Sequence, residues 1–393
     1  MKKKLGLCSI GIALLLTLPC FGQELTQWEK NLDDEAKQTQ ILSTQLIGVV
    51  MKEYVKQNKR AFRDAHPRGI GCVEASFTVD PKLPAKYQTG VFATPGKSYD
   101  AIIRFSSSLG PVGDEVKDAR GMAVKIFGVP GPKLLRGHTD AVTQDFLQID
   151  APTFPARDAV EFSGLVEAKL NPASIPGFLL RHPILRAREF KAIMDLTSNN
   201  PNNGSSLAER SFFSQTAYLL KGSSVNTPVK FASRPCGPVA SVKLDGSKGE
   251  LRNDLQARLK VQDLCFDFFL QFYNQESGHT VEDGMQEWKE ADAPFSKFAQ
   301  IRIPKQNFLT DEKLHYCDNL SFQPWHALAE HRPLGNINRV RRALYMALSE
   351  YRHKANAEQS ALPEPTSLDA WRALKSGTYS EWDAVTIPQK INN

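Results

Sequence analysis

Residues 263–274 read DLCFDFFLQFYN, and this run constrains the fold more than any other. Leu264, Phe266, Phe268, Leu270 and Phe272 alternate with Cys265, Asp267, Phe269, Gln271 and Tyr273. A period of two belongs to a strand with one face in an apolar core. Similar runs occur as GCVEASFTV, YDAIIRFSSS, GMAVKIFGV and DFLQI between residues 71 and 149. They return as VKFASRP, VASVKL and KFAQIRIP after residue 228. Pro, Gly and Asp clusters separate them, and the connections are too short for helical crossovers, so neighbours should pair antiparallel. The count is about eight strands in two groups of four. Eight antiparallel strands can close into a barrel, although an open sheet or a sandwich would give the same count.

Helical periodicity surrounds these runs. Residues 25–62 carry Leu42, Leu46, Val49, Val50 and Tyr54 at three- to four-residue spacing, which reads as one or two amphipathic helices. The stretches RDAVEFSGLVEAKL, PGFLLRHPILRAREFKAIMDL and SLAERSFFSQTAYLL predict helices between 157 and 220, with TSNNPNNGSS as a loop. The chain from about 309 onward is helical again, most strongly in INRVRRALYMALSEYRHKA.

The N-terminus predicts export. A basic start at Met1–Lys4 and an apolar run from Leu5 to Leu18 precede PCFG, the pattern of a signal peptide cleaved after Gly22. The run is too short to span a bilayer, and no later stretch is apolar enough. Without the three lysines of that leader, 46 basic and 43 acidic residues remain, which does not suggest nucleic acid. Cys72, Cys236, Cys265 and Cys317 show no zinc spacing; in an oxidising compartment they could form one or two disulfides or remain small buried residues. The expected division is a signal peptide over 1–22, a helical arm over 23–62, a main domain over 63–356 and a helical tail over 357–393.

The chemistry concentrates at two remote places. His66 precedes a glycine-rich bend in AHPRGIGCVEASFTV, where it is either a turn residue or a proton carrier at a strand mouth. Arg341 and Tyr345 lie one turn apart on a helix face, with Arg352 seven residues further on. Nearby cations favour a phenolate, a hard oxygen ligand suited to ferric iron.

Together these pieces resemble the haem catalases. RDAHPRGIGCVEASFTV resembles the family's distal-histidine strand, and IIRFSSSLGPVGDEVKDARGMAVKIF its next two strands. APTFPARDAVEF keeps Pro152, Phe154, Arg157, Asp158 and Phe162 in step, and RRALYMALSEYR supplies the tyrosine and its arginines. Chain length and LSFQPWHALAEHRPLGNINRVRRALY resemble the smaller, catalase-related peroxidases. The resemblance runs from about residue 60 to 353 and is thin between 165 and 330. It implies an α+β fold, a closed eight-stranded antiparallel β-barrel with packed helices.

It also implies roles. Tyr345 would be the axial ligand of ferric b-type haem, with Arg341 holding it ionised. Arg63, Arg104 and Arg352 would pair with the haem propionates. His66 would move a peroxide proton on the opposite face, oriented by Ser106, and Phe162 would stack near the macrocycle. Aromatic strands would line a dry cavity. The family's Asn-Asn-x-Pro stretch reads QIDAPTF here, so Ile149 and Asp150 replace the asparagine pair and the usual amide donor is missing. An ionised Asp150 beside the site would accept hydrogen bonds only.

His138, His182, His279 and His315 are expected at the surface, His326 and His331 in structural hydrogen bonds, and His353 near a propionate. The implied activity is that of an exported or periplasmic peroxidase. It would reduce hydrogen peroxide or small organic peroxides through a ferryl intermediate, with weak dismutation and an unidentified electron donor. The alternatives are an isomerase or lyase for fatty-acid hydroperoxides, a haem carrier or sensor, and a barrel binding an apolar ligand without iron. Neither nucleic acid nor a membrane span is expected, and an oligomer is compatible with the chain.

Overall fold

The computed structural model describes residues 25–374, except 31–33, 59–60, 64, 109–112, 171–182, 243, 245, 248 and 357–363. The signal peptide and most of the expected C-terminal tail lie outside the described residues. So does His182.

Among the described residues, nine antiparallel strands form one sheet: β1 (Arg68–Val79), β2 (Ser98–Ser107), β3 (Arg120–Phe127), β4 (Thr143–Ile149), β5 (Phe212–Phe213), β6 (Tyr218–Lys221), β7 (Asn226–Pro235), β8 (Leu264–Phe272) and β9 (Phe295–Ile303). The sheet closes. β4 meets β5 at Ile149 and Phe213, β5 meets β7 at Phe212 and Ser233, and β9 returns to β1. Eight strands make the ring, and β6 pairs alongside β7. Closure leaves no exposed edge in the ring itself.

Period-two patterning explains the interior. Phe77, Phe146, Phe231 and Phe268 come from four strands and pack ring against ring at 5.0–5.7 Å. All four are buried. The aromatic strands therefore fill the barrel; they do not line a cavity for a flat ligand. Edge-to-face and offset pairs of this kind add to the apolar burial.

Two sequence expectations are corrected. Residues 206–220 do not form a helix. They hold a 3-10 turn (Leu207–Glu209), then β5 and β6, the pieces that close the ring. Gln215, between β5 and β6, has a φ of 59°, which no right-handed helix accommodates. Residues 239–244 form no strand among those described. β7 ends at Pro235, and Pro238 offers no amide for a ladder. The segment instead lies beside the helix Glu250–Val261, with Ala240 O accepting from Arg258 Nη2 at 2.9 Å.

The helices are α1 (Glu35–Gln45), α2 (Lys52–Asn58), α3 (Ala159–Leu170), α4 (Pro183–Leu196), α5 (Glu250–Val261), α6 (Asp311–Asn319), α7 (Asn336–Ala355) and the short α8 (Asp369–Arg372). A π-helical turn, Leu46–Met51, joins α1 to α2. Leu42 and Leu46, Ala159 and Val166, and Val340 and Leu344 pack into a second apolar cluster outside the barrel. α7 ends in Arg352, His353 and Lys354, cations that suit the negative end of a helix dipole. Its N-terminal part is pinned by Arg339, whose guanidinium meets Glu29, Glu35 and Glu282. Two disulfides, Cys72–Cys317 and Cys236–Cys265, tie β1 to α6 and the end of β7 to β8. Among the described residues, no helix is long and apolar enough to cross a membrane.

Candidate active site

The site is built on one row of the barrel wall. Ser106, Gly121 and Ile149 stand opposite one another on β2, β3 and β4, so their side-chain positions share a face. Their neighbours Phe105 and Met122 belong to the apolar core on the other face. His66 sits over this row with φ 58°, a left-handed conformation that a non-glycine residue seldom adopts. Two contacts hold it there. Arg104 Nη2 donates to the His66 carbonyl at 2.9 Å, and Ser106 Oγ lies 3.1 Å from Nδ1. Gly121 leaves the room the ring needs. A Cβ at that position would come within 2.7 Å of both His66 Nδ1 and Ser106 Oγ. Gly121 stands unremarked within the RGMAVK motif, although a glycine inside a strand marks such a close approach.

Burial pushes the His66 imidazole down to about 3, and Arg104, Arg341, Arg120 and Arg63 add to the effect. It is therefore neutral near pH 7 and able to accept a proton.

α7 supplies the other half. Arg341 Nη2 donates to the Tyr345 hydroxyl at 3.2 Å, one turn apart. Asn338 Oδ1 accepts from Arg341 Nη1 at 3.0 Å and from Thr216 Oγ1 at 3.1 Å. Asn338 is fully buried, and its amide nitrogen is fixed on Ala217 O and Leu334 O. A neutral acceptor thus orients Arg341 without cancelling its charge. Burial works against the Arg341 cation, yet the phenol oxygens of Tyr345 and Tyr218 hold its pKa above the usual value. Asn338 carries no motif of its own; its spacing of three from Arg341 was the available signal.

Arg63, Arg104 and Arg352 converge on the C-terminal end of α6. Arg63 Nη1 lies 3.7 Å from Asp318 Oδ1, and its Nη2 also reaches Leu320 O. Arg352 donates to Asp318 O and, at 3.2 Å, to Leu320 O. Burial and Arg63 press against the charge of Arg104, which Asp318 relieves in part, and the buried Arg104 Nε has no hydrogen bond among the described residues. Clustered guanidiniums of this kind are suited to carboxylate ligands. His353 Nε2 meets Asn319 O at 2.9 Å and Arg352 Nη2 at 3.1 Å beside this group.

Phe162 packs on Phe154 at 5.1 Å and joins the cluster formed with α7. Asp150 is not brought to His66. One position past Ile149, it turns off the shared face, and its carboxylate is engaged by the Arg120 amide (2.8 Å), Asn200 (3.3 Å) and Arg210 (2.7 Å). The role beside the imidazole is corrected on that ground: a buried guanidinium holds the carboxylate elsewhere. Ile149, not a hydrogen-bond donor, occupies the shared face.

Other histidines divide. His331 Nε2 accepts from the Val91 amide at 3.0 Å, a structural bond. His279 is buried against Trp288 and is not a surface residue.

The donors present fit a porphyrin with ferric iron. A phenol oxygen with a cation on it, an anion-binding arginine group and a neutral imidazole are the set such a cofactor requires. Residues 31–176 match the family model for catalase. Over 108 residues the chain is 31% identical to Catalase C of Rhizobium meliloti (strain 1021), spanning 27% of this chain and 14% of that one. Catalase A from Saccharomyces cerevisiae superimposes with a TM-score of 0.61 at 16% identity, covering 84% of this chain and 74% of that one. A fungal catalase gives 0.60 at 15% identity, over 77% and 61%. A bacterial catalase gives 0.57 at 14%, over 86% and 67%. The chain thus spans only part of the length of these relatives. Catalases in general bind haem. The chain is thus similar to the catalases in sequence over residues 31–176, and the catalase barrel is its fold.

Proposed function

We propose that the protein is a haem-dependent peroxidase of the smaller, catalase-related kind. The observation that carries this reading is Arg341. Its guanidinium donates to the Tyr345 hydroxyl at 3.2 Å, the arrangement that favours a phenolate ligand for ferric iron.

Ferric b-type haem, when bound, supplies the two-electron reduction of a peroxide O–O bond. Tyr345 would ligate the iron, with Arg341 favouring the phenolate and Asn338 orienting Arg341. Arg63, Arg104 and Arg352 would hold the propionates. His66, neutral near pH 7, would accept a proton from one peroxide oxygen on the ring nitrogen that Ser106 does not engage. It would then deliver the proton to the other oxygen, so that water or an alcohol leaves. Ser106 and Gly121 keep that ring in place.

Ile149 on the shared face offers no amide to hold a second peroxide. Dismutation to oxygen is then slow, and turnover needs an external electron donor. The same apolar side chain favours a second reading, in which a fatty-acid hydroperoxide is isomerised or cleaved. The deciding experiment incubates the haem-loaded protein with hydrogen peroxide or a fatty-acid hydroperoxide, with and without a one-electron donor dye. Peroxide loss that depends on the dye, with little oxygen release, supports the peroxidase. Rapid oxygen release without dye contradicts it, and dye-independent consumption of the lipid substrate alone supports the second reading.

We also propose that the chain is exported. The two disulfides support this, since such bonds persist in oxidising compartments.

A further inference from the structure

We propose that His138, His326 and Glu364 form a site for a borderline divalent transition-metal ion such as Zn2+, which fastens the C-terminal segment to the barrel. One ligand atom from each residue lies within 4.8 Å of the others. Two imidazole nitrogens and a carboxylate oxygen suit Zn2+ or Cu2+ and not Mg2+ or Ca2+, which prefer oxygen alone.

The surroundings ask for a cation. Lys125 Nζ binds Asp145 Oδ1 at 2.7 Å and also reaches Glu364 Oε1. Both Lys125 and Asp145 are fully buried, and the Glu364 side chain is 10% exposed. Two carboxylates against one ammonium leave an excess negative charge away from water, which is costly unless a cation joins them. His326 is 1% exposed; its Nδ1 lies 3.4 Å from Asp145 Oδ2 and from Glu364 Oε1, and its Nε2 has no hydrogen bond among the described residues. The His138 and His326 rings lie 4.8 Å apart. Lys125 and Thr143 both engage Oε1 of Glu364, and no bond to its second oxygen is present among the described residues. Bonds of about 2.0–2.2 Å place tetrahedral donors about 3.4 Å apart, so a closing of at most about 1.4 Å from 4.8 Å completes the set. His138, on a half-buried loop position, can supply that movement.

The three ligands join separate parts of the chain. His138 lies in the β3–β4 connection, His326 between α6 and α7, and Glu364 ahead of α8. A metal there would act as a clip between them.

The test is titration of zinc chloride into the full chain, freed of metal and of any affinity tag, with and without haem. One equivalent of Zn2+ should bind, and His138→Ala and Glu364→Gln should each weaken it by about tenfold or more. His138→Ala alters a half-buried loop position, so folding is retained, and circular dichroism of the haem-free variant checks this. Absence of saturable Zn2+ binding, or binding in His138→Ala weakened less than tenfold, overturns the proposal. The titration needs no haem, so it stands or falls separately from the peroxidase reading.

Discussion

At the scale of single residues, the site depends on a histidine in an unfavourable backbone conformation. His66 keeps φ 58° because Arg104 binds its carbonyl, Ser106 its ring, and Gly121 lies beneath. His66→Ala should retain haem and slow peroxide reduction by about 10²-fold or more in stopped-flow measurement, the scale of general acid–base assistance. An unchanged rate would remove the imidazole from the chemistry. His66 and His331 share a pH consequence. Burial lowers both to about 3, below the value near 6.5 of an unfolded histidine. The unfolded chain then binds more protons, so the stabilising contribution is full above about pH 6.5 and is lost as pH falls toward 3. Urea unfolding of the haem-free protein across that range should show proton uptake, reduced by about one proton in His66→Gln. His66, Tyr345, Arg341 and Ser106 were legible in the sequence because each sits in a motif with fixed spacing. Asp150 was misplaced because its partner Arg210 is 60 residues away, and no local pattern announces that pairing.

At the scale of elements, long strands declared themselves and short ones did not. β8 has nine residues and a clear alternation; β5 has two and none. SFFSQTAYLL carries enough apolar residues to imitate a helix, and only closure of the ring makes it sheet. Phe212 is fully buried there, against Phe105 and Phe266 at 6.0 and 6.1 Å. Phe212→Ala should cost about 3–5 kcal/mol in chemical denaturation, the usual range for a buried phenylalanine. A cost below 1 kcal/mol would mean that β5 does not seal the barrel. The Cys72–Cys317 bridge is a second joint, setting α6 and its Asp318 against β1. The Cys72→Ser, Cys317→Ser double variant should lose about 2–5 kcal/mol of stability and bind haem more weakly. Full haem affinity in that variant would show that the arginine group does not need α6 fixed.

At the scale of the whole molecule, the barrel is a rigid wall and the helical layer is a clasp. The four-phenylalanine stack fills the barrel, so the candidate site lies on its wall, where β2, β3 and β4 align Ser106, Gly121 and Ile149. The two halves of the site come from residues nearly 280 positions apart in the chain. Sequence order and spacing revealed both halves. The contacts that orient Arg341, through Asn338 and Thr216, required the folded chain. The central claim is that Tyr345 ligates haem iron across from His66. It is tested most directly by the absorption spectrum of the purified protein titrated with haem, beside that of Tyr345→Phe. The account predicts a saturable Soret band of a phenolate-ligated ferric haem in the native protein, lost or greatly weakened in the variant. An identical spectrum and affinity in Tyr345→Phe would contradict it.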